Sequence, residues 1–166
     1  MSTTDSYALL EVLTRHRVTF VVVGMTAAVL QGAPTTTIDL DILYLLSEEN
    51  VERLLAALEE IDAEFRGDLA GRRLRPNTSH LASPGHKLLR TRLGQLDALG
   101  TIEEATRYED VADDVIRLEV GGLSIEVLGL ARLIVAKERA GRPKDLAVLP
   151  LLRATLDEAA GRSDQR

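Results

Sequence analysis

An α/β (α+β) domain is predicted by three features of the sequence. A β-branched run at 18–23 and an Ile- and Leu-rich strand pattern at 37–45 are interleaved with stretches whose apolar residues recur at helical spacing. Gly121-Gly122 separates two strand-like runs, which is a hairpin signal. From Leu130 onward the pattern is helical. With 166 residues, 45% of them hydrophobic, the chain can fill one core. The expected organisation is a core over 1–128 with a helical segment, 129–166, packed on it in one compact unit.

Taken in order, Ala8, Leu9, Val12 and Leu13 share a helical face and Asp5 suits an N-cap, so 5–16 is expected to be a helix. The run 18–23 reads as a buried strand that ends at Gly24. A short helix over 26–31 follows and stops at Gly32 and the Ala33-Pro34 turn. The second strand is 37–45. Ser47 then caps a helix that reaches about 61, with Glu48 and Glu49 favoured in its first turn by the helix dipole. The stretch 63–99 reads as several short strands, at 64–66, 72–74, 79–82, 87–91 and 95–99. Thr101 and Glu104 match a capping box for a brief helix. The hairpin strands are 115–120 and 123–127. A helix over 130–140 closes at Gly141, and Pro143 opens a last helix to about 160, followed by a tail expected to fray.

Several functions are set aside by composition. The net charge of −6 opposes non-specific coating of nucleic acid, and 3% aromatics supply few base-stacking surfaces. The absence of cysteine removes disulfides and thiolate zinc sites, and His80 and His86 are too loosely placed for a metal. No stretch is apolar enough to span a membrane, and the N-terminus lacks the basic start of a signal peptide, so a cytoplasmic location is expected. The abundance of Ala, Leu, Arg and Gly suits a bacterial source. Walker A, G-x-G-x-x-G and G-x-S-x-G strings do not occur.

Asp39 and Asp41 stand out in the second strand. Side chains alternate across a strand, so the two acids share one face while Ile38, Leu40 and Ile42 take the other. Adjacent carboxylates repel unless a cation lies between them, and hard oxygen ligands select Mg²⁺ or Mn²⁺. A D-x-D pair alone also fits an edge strand with a solvated face. Gly24 adds weight to the metal reading, because a glycine that ends a strand and opens a helix offers backbone N–H groups to an anion.

Gly24-Met25 followed by Asp39-Leu40-Asp41 resembles the signature of the DNA polymerase β-like nucleotidyltransferase superfamily. The stretch VVVGMTAAVLQGAPTTTIDLDILY is similar to the small bacterial minimal nucleotidyltransferases and to nucleotidyltransferase toxins of the AbiEii type. The resemblance implies a mixed β-sheet flanked by helices, with further helices at the C-terminus. It also implies Mg²⁺- or Mn²⁺-dependent transfer of a nucleoside monophosphate from an NTP to an acceptor: a tRNA, a protein or a small molecule. A toxin role, with an antitoxin as partner, is part of what it implies. A nucleotide-binding domain of the same fold with weak or lost activity is the alternative.

The superfamily places a third carboxylate on a later strand, and Asp97 in TRLGQLDALG is the match; a turn aspartate is its other reading. The implied metal ligands and catalytic residues are therefore Asp39, Asp41 and Asp97. The implied nucleotide-binding residues are Gly24, Met25, Thr26, Arg90, Arg92 and Lys137. Met25 departs from the pattern, since the family carries serine or glycine there, and Thr26 offers a hydroxyl one position late. If 87–91 is a strand beside the acids, some of Lys87, Arg90 and Arg92 would neutralise a triphosphate or an acceptor phosphate; all three also fit a solvated strand edge. Lys137 belongs to KERAGRPKD, a string similar small proteins share; Asp145 reads as a helix-start charge that pairs with Lys137 or Arg142.

Overall fold

The computed structural model describes residues 3–67 and 70–165. Helix α1 (Ser6–Arg15) is capped by Asp5, whose carboxylate accepts from the Ala8 N–H. Strand β1 (Phe20–Val23) is buried throughout and passes directly into α2 (Gly24–Leu30). Strand β2 (Asp39–Tyr44) carries the two acids, and Ser47 caps α3 (Glu48–Glu60). Then come β3 (Glu64–Phe65), α4 (Thr78–Ala82), β4 (His86–Thr91) and β5 (Gly94–Leu99). A 3₁₀-helix (Tyr108–Asp114) leads into the hairpin β6 (Val115–Val120) and β7 (Leu123–Leu128). Helices α5 (Leu130–Ala140) and α6 (Pro143–Ser163) complete the chain.

The strands form one mixed seven-stranded sheet in the order β3-β4-β5-β2-β1-β7-β6. Pairs β2–β5 and β1–β7 are parallel and the other pairs are antiparallel. Helices α1, α3 and α4 form one layer, and α2, α5 and α6 another. Leu40, Ile42 and Tyr44 of β2, with Leu96 and Ala98 of β5, are fully buried beneath the first layer. Buried Asn50 ties α3 to the sheet: its Oδ1 accepts from the Thr19 N–H, and its Nδ2 donates to the carbonyls of Thr19 and Leu45. Every polar atom of that amide is thereby satisfied, as burial demands.

Four expectations are corrected. Residues 79–82 are helical rather than extended, because Asn77 and His80 form reciprocal capping hydrogen bonds that start α4. Residues 72–74 form no strand; the Leu74 carbonyl accepts one hydrogen bond, from the Phe65 N–H. No helix begins at Thr101. Ile102 and Thr106 bridge instead, with Glu103 at φ 54°, because Arg132 and Arg139 of α5 draw its carboxylate inward at 2.6 and 2.9 Å. A tertiary ion pair overrides the local capping signal there. Ile38 precedes β2 and is 72% exposed, so it is no part of the apolar face. The tail is helical to Ser163, and Arg166 lies outside the described residues.

Candidate functional site

Register brings the acids together. Strand β2 pairs in parallel with β5 so that Asp41 lies opposite Asp97 and Asp39 opposite Gln95. Opposed side chains on adjacent strands stand on one face, about 5 Å apart. Asp39, Asp41 and Asp97 each place a carboxylate oxygen within 4.8 Å of the others. Asp97 is buried, and Asp39 and Asp41 are half-buried.

The charges conflict. The Asp41 carboxyl is pushed up to about 8, first by burial, then by Asp97 and Asp39, against a smaller opposing pull from Lys137. Burial also raises Asp97, with Arg66 working against it. Among the described residues, Asp39 Oδ1 and Asp97 Oδ1 are buried with no hydrogen-bond partner. Arg66 Nη2 lies 2.7 Å from Asp97 Oδ1, an ion pair whose alignment falls short of a hydrogen bond. Orphaned buried oxygens amid mutually repelling carboxylates fit a hard divalent cation.

Gly24 fits against this cluster. Its φ is 65°, and a Cβ there would fall 2.2 Å from Asp41 Oδ2. Glycine is thus required twice, by backbone conformation and by the closeness of the acid. Gly24 opens α2, whose N-cap, Val23, supplies no side-chain hydrogen bond. Beside Gly24 and Asp41 a cavity of about 1030 Å³ extends to Leu133, Ala136 and Lys137 of α5 and to Arg142.

No family model matches the chain, and no curated protein matches it. Among solved structures, it is similar to a candidate nucleotidyltransferase from Thermotoga maritima, at 20% identity and a TM-score of 0.56, covering 92% of this chain and 90% of that one. The chain shares the fold of that candidate nucleotidyltransferase, a mixed sheet flanked by helices.

Within this nucleotidyltransferase fold, the remaining residues singled out in the sequence divide. Lys137 faces the cavity and is close enough to Asp41 to favour its charged form. Its ammonium donates to Asp145 Oδ1 at 3.1 Å, and Arg142 Nε donates to Asp145 Oδ2 at 2.5 Å. Burial pushes the Asp145 carboxyl up, but hydrogen bonds from Arg142 and Lys137 outweigh it and hold the group below the usual carboxylate range. Met25 packs against the core. Thr26 is buried, and its hydroxyl donates to the Asp39 carbonyl at 2.8 Å, so that hydroxyl braces β2 instead of facing the cavity.

Arg90 and Arg92 are not brought to the acids. Arg90 lies 3.3 Å from the Glu64 carboxylate, and Arg92 donates to the Glu60 carbonyl at 3.4 Å. Lys87, for which a solvated edge was the alternative, is buried on the opposite face. Its ammonium donates to the Ser83 and Gly85 carbonyls, 5.2 Å from the Tyr44 ring centroid, and burial lowers it to about 8. Arg66, which pairs with Asp97, carries no signal in the sequence that marks it for this site. It lies just past β3, reaching the acids across β4.

Proposed function

We propose that the protein is a divalent-metal-dependent nucleotidyltransferase that moves a nucleoside monophosphate from an NTP to an acceptor hydroxyl. The observation that carries this is the convergence of Asp39, Asp41 and Asp97 beside Gly24 in a nucleotidyltransferase fold. Mg²⁺ or Mn²⁺ held there would neutralise charge on the triphosphate and orient it for in-line displacement. Asp39 and Asp41 would hold the ion that grips the triphosphate. Asp97 would share in holding the ion at the acceptor side and take the hydroxyl proton as the acceptor oxygen bonds to the α-phosphorus and pyrophosphate leaves. Gly24 lets backbone approach the phosphates, and Lys137, in the segment 129–166, presents positive charge across the cavity.

Incubation with labelled NTPs, Mg²⁺ and candidate acceptors (tRNA, proteins, small alcohols) tests the reading. Transfer is expected with the native chain and lost in the double variant Asp39→Ala/Asp41→Ala; transfer that survives both substitutions overturns it. The acceptor class follows from the same assay. A toxin role in the cytoplasm predicts a neighbouring gene for an antitoxin and growth arrest on expression that the double variant does not cause.

A second reading rests on Met25 and Thr26. With no hydroxyl free at the phosphate loop, the chain would bind nucleotide with little turnover. Calorimetry with each NTP, with and without Mg²⁺, separates the two: metal-dependent binding without transfer to any acceptor favours the binding module.

A further inference from the structure

One row of side chains crosses the acid-bearing face of the sheet. Val23 is paired with Asp41, Asp41 with Asp97, and Asp97 with Leu88, while the Arg66 N–H donates to the Leu88 carbonyl at 2.8 Å. Arg66 therefore stands at the β3 end of the row that holds two of the acids, with Leu88 between. Its side chain crosses Leu88. Nη1 donates to the Leu89 carbonyl at 3.1 Å and Nη2 pairs with Asp97 Oδ1 at 2.7 Å. The pair is well shielded, with side chains 22% and 12% exposed, so water screens it weakly.

We propose that Arg66 is a built-in counter-ion that occupies Asp97 until a metal–triphosphate complex arrives, exchanging its carboxylate partner for phosphate oxygens as Asp97 turns to the metal. This rests on the nucleotidyltransferase reading. The guanidinium forms an ion pair with Asp97 Oδ1, an oxygen that has no hydrogen-bond partner among the described residues, so it competes with a cation for that atom. Guanidinium groups bind phosphate in the same fork geometry as carboxylate, so the exchange keeps the charge paired. It also supplies a phosphate contact on the side of the site away from α2, where Met25 brings no hydroxyl.

The predicted effects of Arg66→Met have opposite signs. Free Mn²⁺, titrated by electron paramagnetic resonance, should bind about tenfold more tightly once the competing charge is gone. The Mn²⁺–tripolyphosphate complex, titrated by calorimetry, should bind about tenfold more weakly because its phosphate partner is gone. Arg66→Lys, which keeps the charge but not the fork, should lie between, and it carries the test if the methionine variant does not fold. A merely structural arginine would weaken both ligands together, so changes of the same sign, or none, overturn the proposal while leaving the metal site standing. If the native chain binds no Mn²⁺, the metal reading itself fails and the proposal fails with it. Native Mn²⁺ binding that Asp39→Asn abolishes separates these two failures.

Discussion

At the scale of single residues, the acids and Gly24 make sharp predictions. The Asp41 carboxyl is raised to about 8, so the folded chain holds a proton there that the unfolded chain releases near pH 4. The sign follows: without divalent cation, this group's contribution to stability is greatest below about pH 4 and declines as pH rises toward about 8. A melting series from about pH 5 to about pH 8.5 should show the decline, Mg²⁺ or Mn²⁺ should reverse it most strongly at the alkaline end, and Asp41→Asn should flatten it. For Gly24→Ala, the left-handed backbone alone costs about 1–2 kcal/mol. The methyl also collides with Asp41 Oδ2. Urea denaturation should show the stability loss, and metal binding should fall further than stability explains, because the acid must move.

At the scale of elements, Thr26 distinguishes bracing from phosphate binding. Its hydroxyl joins α2 to the first residue of β2 through the Asp39 carbonyl. Thr26→Val should cost about 1 kcal/mol by removing that hydrogen bond, since Thr37 also donates to the same carbonyl at 3.2 Å. Thr26→Ser should restore it. Activity lost far out of proportion to stability would instead mark the hydroxyl as a substrate contact. Elements whose stop and start signals are local were legible in sequence: Asp5 and Ser47 as caps, Gly121-Gly122 as a turn, Gly141 in the left-handed conformation at the end of α5, Pro143 at the start of α6. Elements decided by distant partners were not. The Thr101–Glu104 pattern has the letters of a helix start, yet Glu103 is pulled away by arginines on α5. Nor does a five-residue helix such as α4 present enough turns to show a helical period against a strand's.

At the scale of the whole molecule, the face shared by Asp39 and Asp41 could be read from alternation along one strand, while its alignment with Asp97 depends on strand order, which local sequence does not encode. Arg66 is the extreme case, since two strands must be placed before its side chain meets an acid. The parallel pairing of β2 with β5 has a kinetic consequence. The chain between Tyr44 and Gly94, with α3, β3, α4 and β4 in it, must be organised before those two strands can meet. Contacts across so long a loop pay their closure entropy before they are rewarded, and tend to form late in folding. The acids should therefore stay apart through the folding transition state and join only on its native side. A divalent cation is then expected to slow unfolding and leave the refolding rate nearly unchanged, which stopped-flow measurements with and without Mn²⁺ would read directly. A refolding rate that rises with Mn²⁺ would place the pairing in the nucleus. On the expected outcome, the ion does not guide the chain to its fold; it arrives at a finished molecule and lengthens its life.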